Sequence, residues 1–460
     1  MDTHRSHITD SLFYGHSYST EVSRAIFDDH KRMQRFLDVE VVLAQCQAEL
    51  GIIPKGAAKA IAKAADFSKM DPQAISKDIQ DTGHSLVALI RALRDRCEGG
   101  YGEYVHYGAT TQDIQDTAQN LEIREVLACI EKQQEDLLRV LASWAKQYKS
   151  TMMPGRTHAR AAAPITFGYK VAVWIDELLR SQERLEQMKE RILVAGLHGA
   201  VGSMAGFGTQ AGELLGKFAA KLGLKVPAIA WHVSRDRVTE YVLNLSMLTA
   251  TLAKIADEIR TMERPEFGEL RSQWSYGKVS SSTMPHKRNP EKAQQIVVLA
   301  KLAKAQAVPA LEAMHNEHER DSRGLRLEWA VVADVSHYTL AALDKSVKLI
   351  EGTEVLEEQM KISTLNLLDM LSTEAIMLKL GEKIGKETAY QIVYDISQHA
   401  QSNGTTIKDG ILQNKEIIAH LNKTEIKEAL DPYQYLGKCE AQVDTIIKLY
   451  EGRKAQKSYS

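Results

Sequence analysis

Six apolar residues near the middle of the chain, Leu245, Leu248, Leu252, Ile255, Ile259 and Met262, follow one another at alternating steps of three and four. An α-helix brings such a series onto one stripe, and a stripe of this length has to lie against other long helices. The series stops before Pro265, which cannot continue a helix. A second seam, Ile175, Leu178, Leu185, Met188 and Ile192, is interrupted once by Gln182. Residues 119–149 and 291–307 are two further long helical stretches, the latter rich in Ala, Leu, Val and Lys. Period-two alternation, the mark of a half-buried strand, is nowhere convincing. The expected fold is therefore all-α, built on a long central helical bundle. The two seams read as too long to be covered within one chain.

On either side of the bundle the helical pieces shorten. Pro54, Pro72 and Gly99-Gly100 break the first hundred residues, while Ser402-Asn403-Gly404 and Pro432 break the stretch from Leu367 to Tyr450. Three parts are expected: an N-terminal helical domain over 1–110, a central bundle over 111–365 and a C-terminal helical domain over 366–460. A chain of 460 residues exceeds what one core usually covers. The polar tail from Gly452 to Ser460 is expected to be disordered. A formal charge of −2 gives no overall field to gather nucleic acid or an anionic membrane. No apolar run reaches membrane-spanning length, and Met-Asp-Thr-His-Arg at the start is no apolar signal region. Cys46, Cys97, Cys129 and Cys439 are scattered without metal-ligand spacing. These features point to a soluble, reduced, cytoplasmic protein, with no metal site expected.

Chemistry is concentrated in polar segments between the helical stretches. Ser281-Ser282-Thr283-Met284-Pro285-His286-Lys287-Arg288-Asn289-Pro290 gathers hydroxyls, cations and an amide in one aperiodic segment. Gly277 and the run Ser280-Ser281-Ser282 suit a loop that closes over a ligand. Lys287 and Asn289 flank Arg288, so in an extended stretch they point the same way and can share one carboxylate. Thr110, Thr111 and Gln112 offer donors where a helix begins, beside its unpaired N–H groups. Thr157 and His158 sit with Arg156 and Arg160 in a Gly-Pro loop suited to proton transfer or carboxylate binding. His84, in Asp81-Thr82-Gly83-His84-Ser85, stands where a helix is expected to begin at Leu86. Glu317-His318-Glu319-Arg320-Asp321 enters another helical run.

The ten-residue segment resembles the signature loop of the fumarase/aspartase superfamily, in the branch of adenylosuccinate lyase and 3-carboxy-cis,cis-muconate cycloisomerase. The resemblance covers residues 10–420 and implies a three-domain, all-α fold. It makes Ser281 the general base, with Lys287 and Asn289 on a substrate carboxylate. His106-Tyr107-Gly108-Ala109-Thr110-Thr111-Gln112-Asp113-Ile114 resembles the loop whose Thr/Ser pair binds a carboxylate. Gly155-Arg156-Thr157-His158 resembles the adenylosuccinate lyase segment that carries an active-site histidine, and His84 and Arg320 match substrate-contacting positions.

Departures from the pattern are also informative. Ser280 stands where glycine is usual, Arg160 and Trp231 where the lyases carry glutamine, and Gln294 where a glutamate is common. Arg326-Leu327-Glu328-Trp329 ends in the Glu-Trp of the cycloisomerases. Phe13-Tyr14 stands in place of the Arg-Tyr pair near the lyase N-terminus, and Glu328 is expected to repel a phosphate.

The implied reaction is β-elimination of a C–N bond in a succinyl-type substrate with release of fumarate. The substrate would be a small polycarboxylate, His158 would act as acid or carboxylate ligand, and no cofactor is needed. Seams and resemblance together imply a homotetramer whose active sites draw on more than one chain. The alternatives are cycloisomerase-like intramolecular addition and elimination, and a non-catalytic helical scaffold, against which the intact Ser281, Lys287 and Asn289 argue.

Overall fold

The computed structural model describes residues 5–274, 276–277 and 281–458, so Ser280 lies outside the described residues. Among them the longest helices are Thr111–Gln147, Phe167–Ile192, Asp236–Met262 and Ser322–Glu351. The seam from Leu245 to Met262 is at most 3% exposed at its six positions, and that from Ile175 to Ile192 is as deeply buried. Both seams are thus covered within a single chain, contrary to the sequence expectation. Different apolar residues on the same helices, Val173, Met247 and Leu327, together with Val298 on the helix Glu291–Ala305, face solvent. The expected helix at 119–149 starts earlier, at Thr111, because the polar residues of its first turns are buried and hydrogen-bonded rather than solvated.

The chain forms two compact units. One comprises Met1–Gln134, Arg180–Ala253 and Gln295–Lys345, the other Glu135–Leu179, Lys254–Gln294 and Ser346–Ser460. In the first, Leu37, Leu43, Ile61 and Leu89 of the shorter helices pack in one core with Ile114, Leu197, Leu214 and Phe218. Polar side chains pin its long helices together. Thr239 donates to the Ala310 carbonyl at 2.7 Å, and the Tyr241 and Ser336 hydroxyls meet at 2.7 Å.

In the second unit, Ile376, Leu380, Val393, Ile411, Ile417 and Ile426 form a core of their own. It also contains strands that the sequence reading did not expect. Met152–Thr157 pairs antiparallel with Arg160–Thr166, and Leu270–Ser272 with Thr353–Val355. Leaving out the strand ends, Gly155 is obligatory in the longer pair, since a Cβ there would stand 2.7 Å from the Ala163 carbonyl oxygen. The tail is ordered rather than disordered up to Ser458: the helix Cys439–Ser458 buries Val443, Ile447 and Tyr450. Arg453 extends this anchorage by donating to the Leu179 carbonyl at 2.7 Å. No helix among the described residues is long and apolar enough to cross a membrane.

Candidate active site

Four of the expected substrate-binding residues, His84, Thr111, Gln112 and Arg320, line one cavity of about 820 Å³ in the first unit. Gly83, with φ +65°, ends the helix Pro72–Thr82 and turns the chain toward His84. The helix that follows starts at Val87, one residue later than expected, and its N-cap Leu86 has no capping side chain. His84 takes that part: its Nδ1 accepts the N–H groups of Leu86 and Val87 at 3.4 and 3.3 Å, which leaves the ring proton on Nε2. Gln115 ties the neighbouring Ser85 to the 111–147 helix through a 2.8 Å hydrogen bond.

Arg320 follows His318, which is held at φ +57°, and its guanidinium donates to the Thr110 hydroxyl. Arg323 does not line this cavity. It forks onto Asp321, whose carboxyl it holds well below the usual range. Arg326 and Trp329 do line it, and the lining contains no carboxylate. Such a basin, with two guanidinium groups beside a helix N-terminus, is matched to a polyanion.

Beneath the cavity lies a buried polar layer that the sequence reading missed. Gln112 is buried, and its amide donates to Asp116 at 3.1 Å and to the His232 carbonyl at 2.8 Å. Both its N–H donors therefore serve the interior, not a ligand. Each oxygen of Asp113 accepts two hydrogen bonds. Oδ1 takes the His198 N–H and His232 Nε2 at 2.8 and 2.9 Å, and Oδ2 takes the N–H groups of Thr110 and Gly199 at 3.0 and 2.9 Å. Burial alone would raise this carboxyl, but His232 and the backbone donors outweigh it and lower the pKa. Asp113, His198 and His232 have the spacing of a metal site. With four donors already on the carboxylate, the trio acts as a hydrogen-bond hub that fixes the Thr110 turn.

Arg235 lies at the centre of a second buried cluster, with two 2.9 Å bonds to Asp116 and paired bonds to Glu328. Glu328, which Gln119 also contacts at 3.0 Å, therefore cannot repel a phosphate as its place in the sequence implied. Burial pushes the Glu328 pKa up, and Arg235 works against that shift. Trp231 packs under the Arg235 guanidinium, 5.1 Å from ring centroid to Cζ. These residues lie some 90–120 positions apart in sequence. The available signal was four polar residues, Gln112, Asp113, Gln115 and Asp116, crowded around the first turns of a helix.

The remaining expected residues belong to the second unit. Ser281 is half-buried, and its Oγ accepts the Met284 N–H at 3.0 Å, so the proposed base caps a turn of its own loop. Lys287 is exposed, and its N–H closes that turn on the Met284 carbonyl. Asn289 lines a cavity of about 590 Å³ together with Arg288, and Lys287 is not part of that lining. The turn at Met284–Lys287 precedes the Lys287–Asn289 stretch, and residues 287–290 carry no turn or helix. The Arg288 guanidinium stacks 5.4 Å from the centroid of Trp274.

Thr157 and His158 lie at a hairpin tip rather than in an irregular loop. His158 and Ala159, at φ +50° and +62°, form its two-residue turn, and both are exposed. A type I′ turn needs this left-handed pair, which Asn-Gly usually supplies, so the His-Ala sequence concealed it. Arg156 is directed to Glu269 through two bonds of 2.6 and 2.9 Å and does not accompany His158. Ser281, Lys287, Thr157 and His158 line neither of the two cavities described.

Similar proteins place this geometry in context. The family profile described as "Lyase" matches residues 10–303, and that described as "Adenylosuccinate lyase C-terminus" matches 369–446. The N-acetyl-S-(2-succino)cysteine lyase of Enterococcus italicus is 38% identical over 97% of this chain and 98% of its own length. An adenylosuccinate lyase of Methanocaldococcus jannaschii is 36% identical over 95% of each. The crystal structure of 3-carboxy-cis,cis-muconate lactonizing enzyme from Pseudomonas putida superposes with a TM-score of 0.87 at 29% identity, covering 96% of this chain and 99% of that one.

Proposed function

The chain belongs to the fumarase/aspartase superfamily, in the branch of adenylosuccinate lyase and 3-carboxymuconate cycloisomerase, and from that premise we propose that it releases fumarate from a succinyl adduct carrying no phosphate. The observation that carries this reading is the carboxylate-free cavity in which Arg320 and Arg326 stand beside the Thr110–Thr111 helix start. Two guanidinium groups match the two carboxylates of a succinyl group. A phosphate would need further cationic donors, and this lining contains no lysine and no third arginine.

In the proposed reaction Ser281 takes a proton from the methylene carbon of the succinyl group. The carbanion spreads into the adjacent carboxylate as a doubly charged aci-form, which Lys287, Asn289 and the helix start stabilise. The bond to the heteroatom on the neighbouring carbon then breaks, its electron pair leaves with the heteroatom, and the new double bond gives fumarate. His158 returns a proton to the leaving atom or fixes the second carboxylate. From the sequence that atom reads as nitrogen. The likeness to an N-acetyl-S-(2-succino)cysteine lyase favours sulfur, and we adopt the thioether as first substrate.

The proposal extends to assembly and domains. The solvent-facing Met247, Val298 and Leu327 give the long helices apolar surface for partners, and catalytic residues that do not share the Arg320 cavity suit a homotetramer with shared sites. The parts at 1–110, 111–365 and 366–460 remain a proposal: the core at 376–430 falls within the third, whereas the core at 37–224 joins residues of the first two. Mixing inactive Ser281→Ala and His158→Asn chains should restore partial activity. A stable, active monomer in sedimentation would sink the shared-site idea.

The substrate test is fumarate appearance with N-acetyl-S-(2-succino)cysteine, adenylosuccinate and 3-carboxymuconate as parallel substrates. Fumarate from the thioether is expected, with weak or no release from adenylosuccinate. Efficient turnover of adenylosuccinate, at a kcat/KM of about 10⁴ M⁻¹s⁻¹ or more, defeats the phosphate argument. Lactonisation of the muconate alone would put the cycloisomerase reading in its place.

A further inference from the structure

One helix, Ser322–Glu351, walls two cavities of the first unit in succession. Its N-terminal residues Leu325 and Arg326 line the carboxylate-free cavity, whereas Ala330, Ala333, Asp334 and His337 line a second one of about 880 Å³. From Leu325 to Ala333 is about 12 Å along the helix axis. Trp329 stands between them and lines both. Its indole is half-buried and makes no hydrogen bond or ring contact among the described residues, and the alanines beyond it leave space that a larger side chain would fill. Its neighbour Glu328 is fixed by Arg235 and Gln119, so the backbone under the indole is held in place.

The two cavities differ in charge. The second combines Arg5, Arg24 and Arg32 with Asp10, Asp28 and Asp334, a lining suited to a group that bears both an ammonium and a carboxylate.

We infer that Trp329 sets the size limit of the leaving group, closing the succinyl cavity against a second cavity able to take the zwitterionic remainder of a peptide-like adduct. This rests on the proposed succinyl substrate. Removing the indole joins the two spaces and admits a longer leaving group.

The test is calorimetric binding in the Ser281→Ala background of two thioethers, N-acetyl-S-(2-succino)cysteine and a tripeptide whose cysteine carries the same 2-succino group. With Trp329 present the tripeptide adduct should bind at least about tenfold more weakly than the small one. Trp329→Ala should narrow that ratio by about tenfold or more while leaving the small adduct bound, and Trp329→Phe should leave the ratio in place. Trp329→Leu gives the same reading if the alanine variant does not fold. An unchanged ratio, an equal shift in Trp329→Phe, or no binding of either adduct overturns the inference. If the unsubstituted protein releases fumarate from the small adduct yet the binding ratio does not move, only the role of Trp329 fails. If it releases none while the ratio shifts, only the proposed reaction fails.

Discussion

The cavity around Arg320 and the loop Ser281–Pro290 are both rich in polar side chains, but they are held in different ways. Under the cavity, Asp113, Asp116, Arg235 and Glu328 are buried and saturated with hydrogen bonds. The loop is held by contacts with its own surroundings: the Ser281 turn, the Met284–Lys287 turn and the stack of Arg288 on Trp274. A buried ionic network cannot shift without stranding a charge, so the geometry of the cavity is set before a ligand arrives. Surface turns of this kind cost little to rearrange. In the proposed reaction, recognition falls to the rigid region and proton abstraction to the adaptable one, with the base completed when the loop closes.

The largest expected effect tests the adaptable side. Ser281→Ala should lower kcat by at least about 10³-fold, since it removes the proposed proton acceptor. Its thermal midpoint should move by no more than about 2 °C, because a turn-capping hydroxyl on a loop contributes little to stability. Near-normal turnover would take Ser281 out of the mechanism and direct attention to Ser282.

The rigid side should respond in the opposite sense. Arg235→Leu strands Asp116 and Glu328 without their counter-charge, and denaturant unfolding should show a loss of about 3–5 kcal/mol. A loss below about 1 kcal/mol would mean that the network does not hold the cavity.

A third measurement uses pH. Burial, with His7, Arg24 and Arg32 nearby, pushes His337 down to about 4 from an ordinary 6.5. The unfolded chain therefore takes up the proton first as pH falls. Stability is full above 6.5, declines between 6.5 and 4 and levels off below, by a total on the order of 3 kcal/mol. His337→Asn should flatten that decline relative to the unsubstituted protein. Parallel curves for the two would show that groups other than His337 govern the acid limb.

Much of this contrast could be read in the sequence, but unevenly. The helical seams and the Ser281–Pro290 segment announce themselves through local spacing and composition. The pairing of Arg235 with Asp116 and Glu328 does not, because sequence order carries no sign of which buried charges meet across about a hundred residues. The seams also misled on one point: their length implied cover from other chains, yet neighbouring helices of the same chain bury them. His158-Ala159 hid a hairpin because neither residue usually takes a left-handed turn. Glu328 was expected to face a ligand, since a helical position alone does not fix which side is inward.

Arg320 tests recognition directly. Arg320→Met keeps the length of the side chain but removes the guanidinium from the cavity and from the Thr110 hydroxyl. A group that binds substrate and transition state alike should show its loss in KM, here by about 10–100-fold, with kcat changed far less. A fall confined to kcat would move Arg320 from recognition into the chemical step and blur the division between the two regions.

The smallest effect is expected at the clasp of the loop. Trp274 and Arg288 lie on opposite sides of the segment that carries Ser281, and their stack joins its two stems. At a partly exposed site such a contact contributes about 0.5–1 kcal/mol. Trp274→Ala should accordingly lower kcat only a few-fold and leave the unfolding midpoint nearly unchanged, while Trp274→Phe retains most of the activity because a ring face remains. An unfolding loss above about 2 kcal/mol would instead mark Trp274 as a packing residue, and the loop would then share the rigidity of the Arg320 cavity. Unaltered turnover in Trp274→Ala would show that joining the stems does not help position Ser281, leaving the turn that Ser281 itself caps as the element that loop closure has to rearrange.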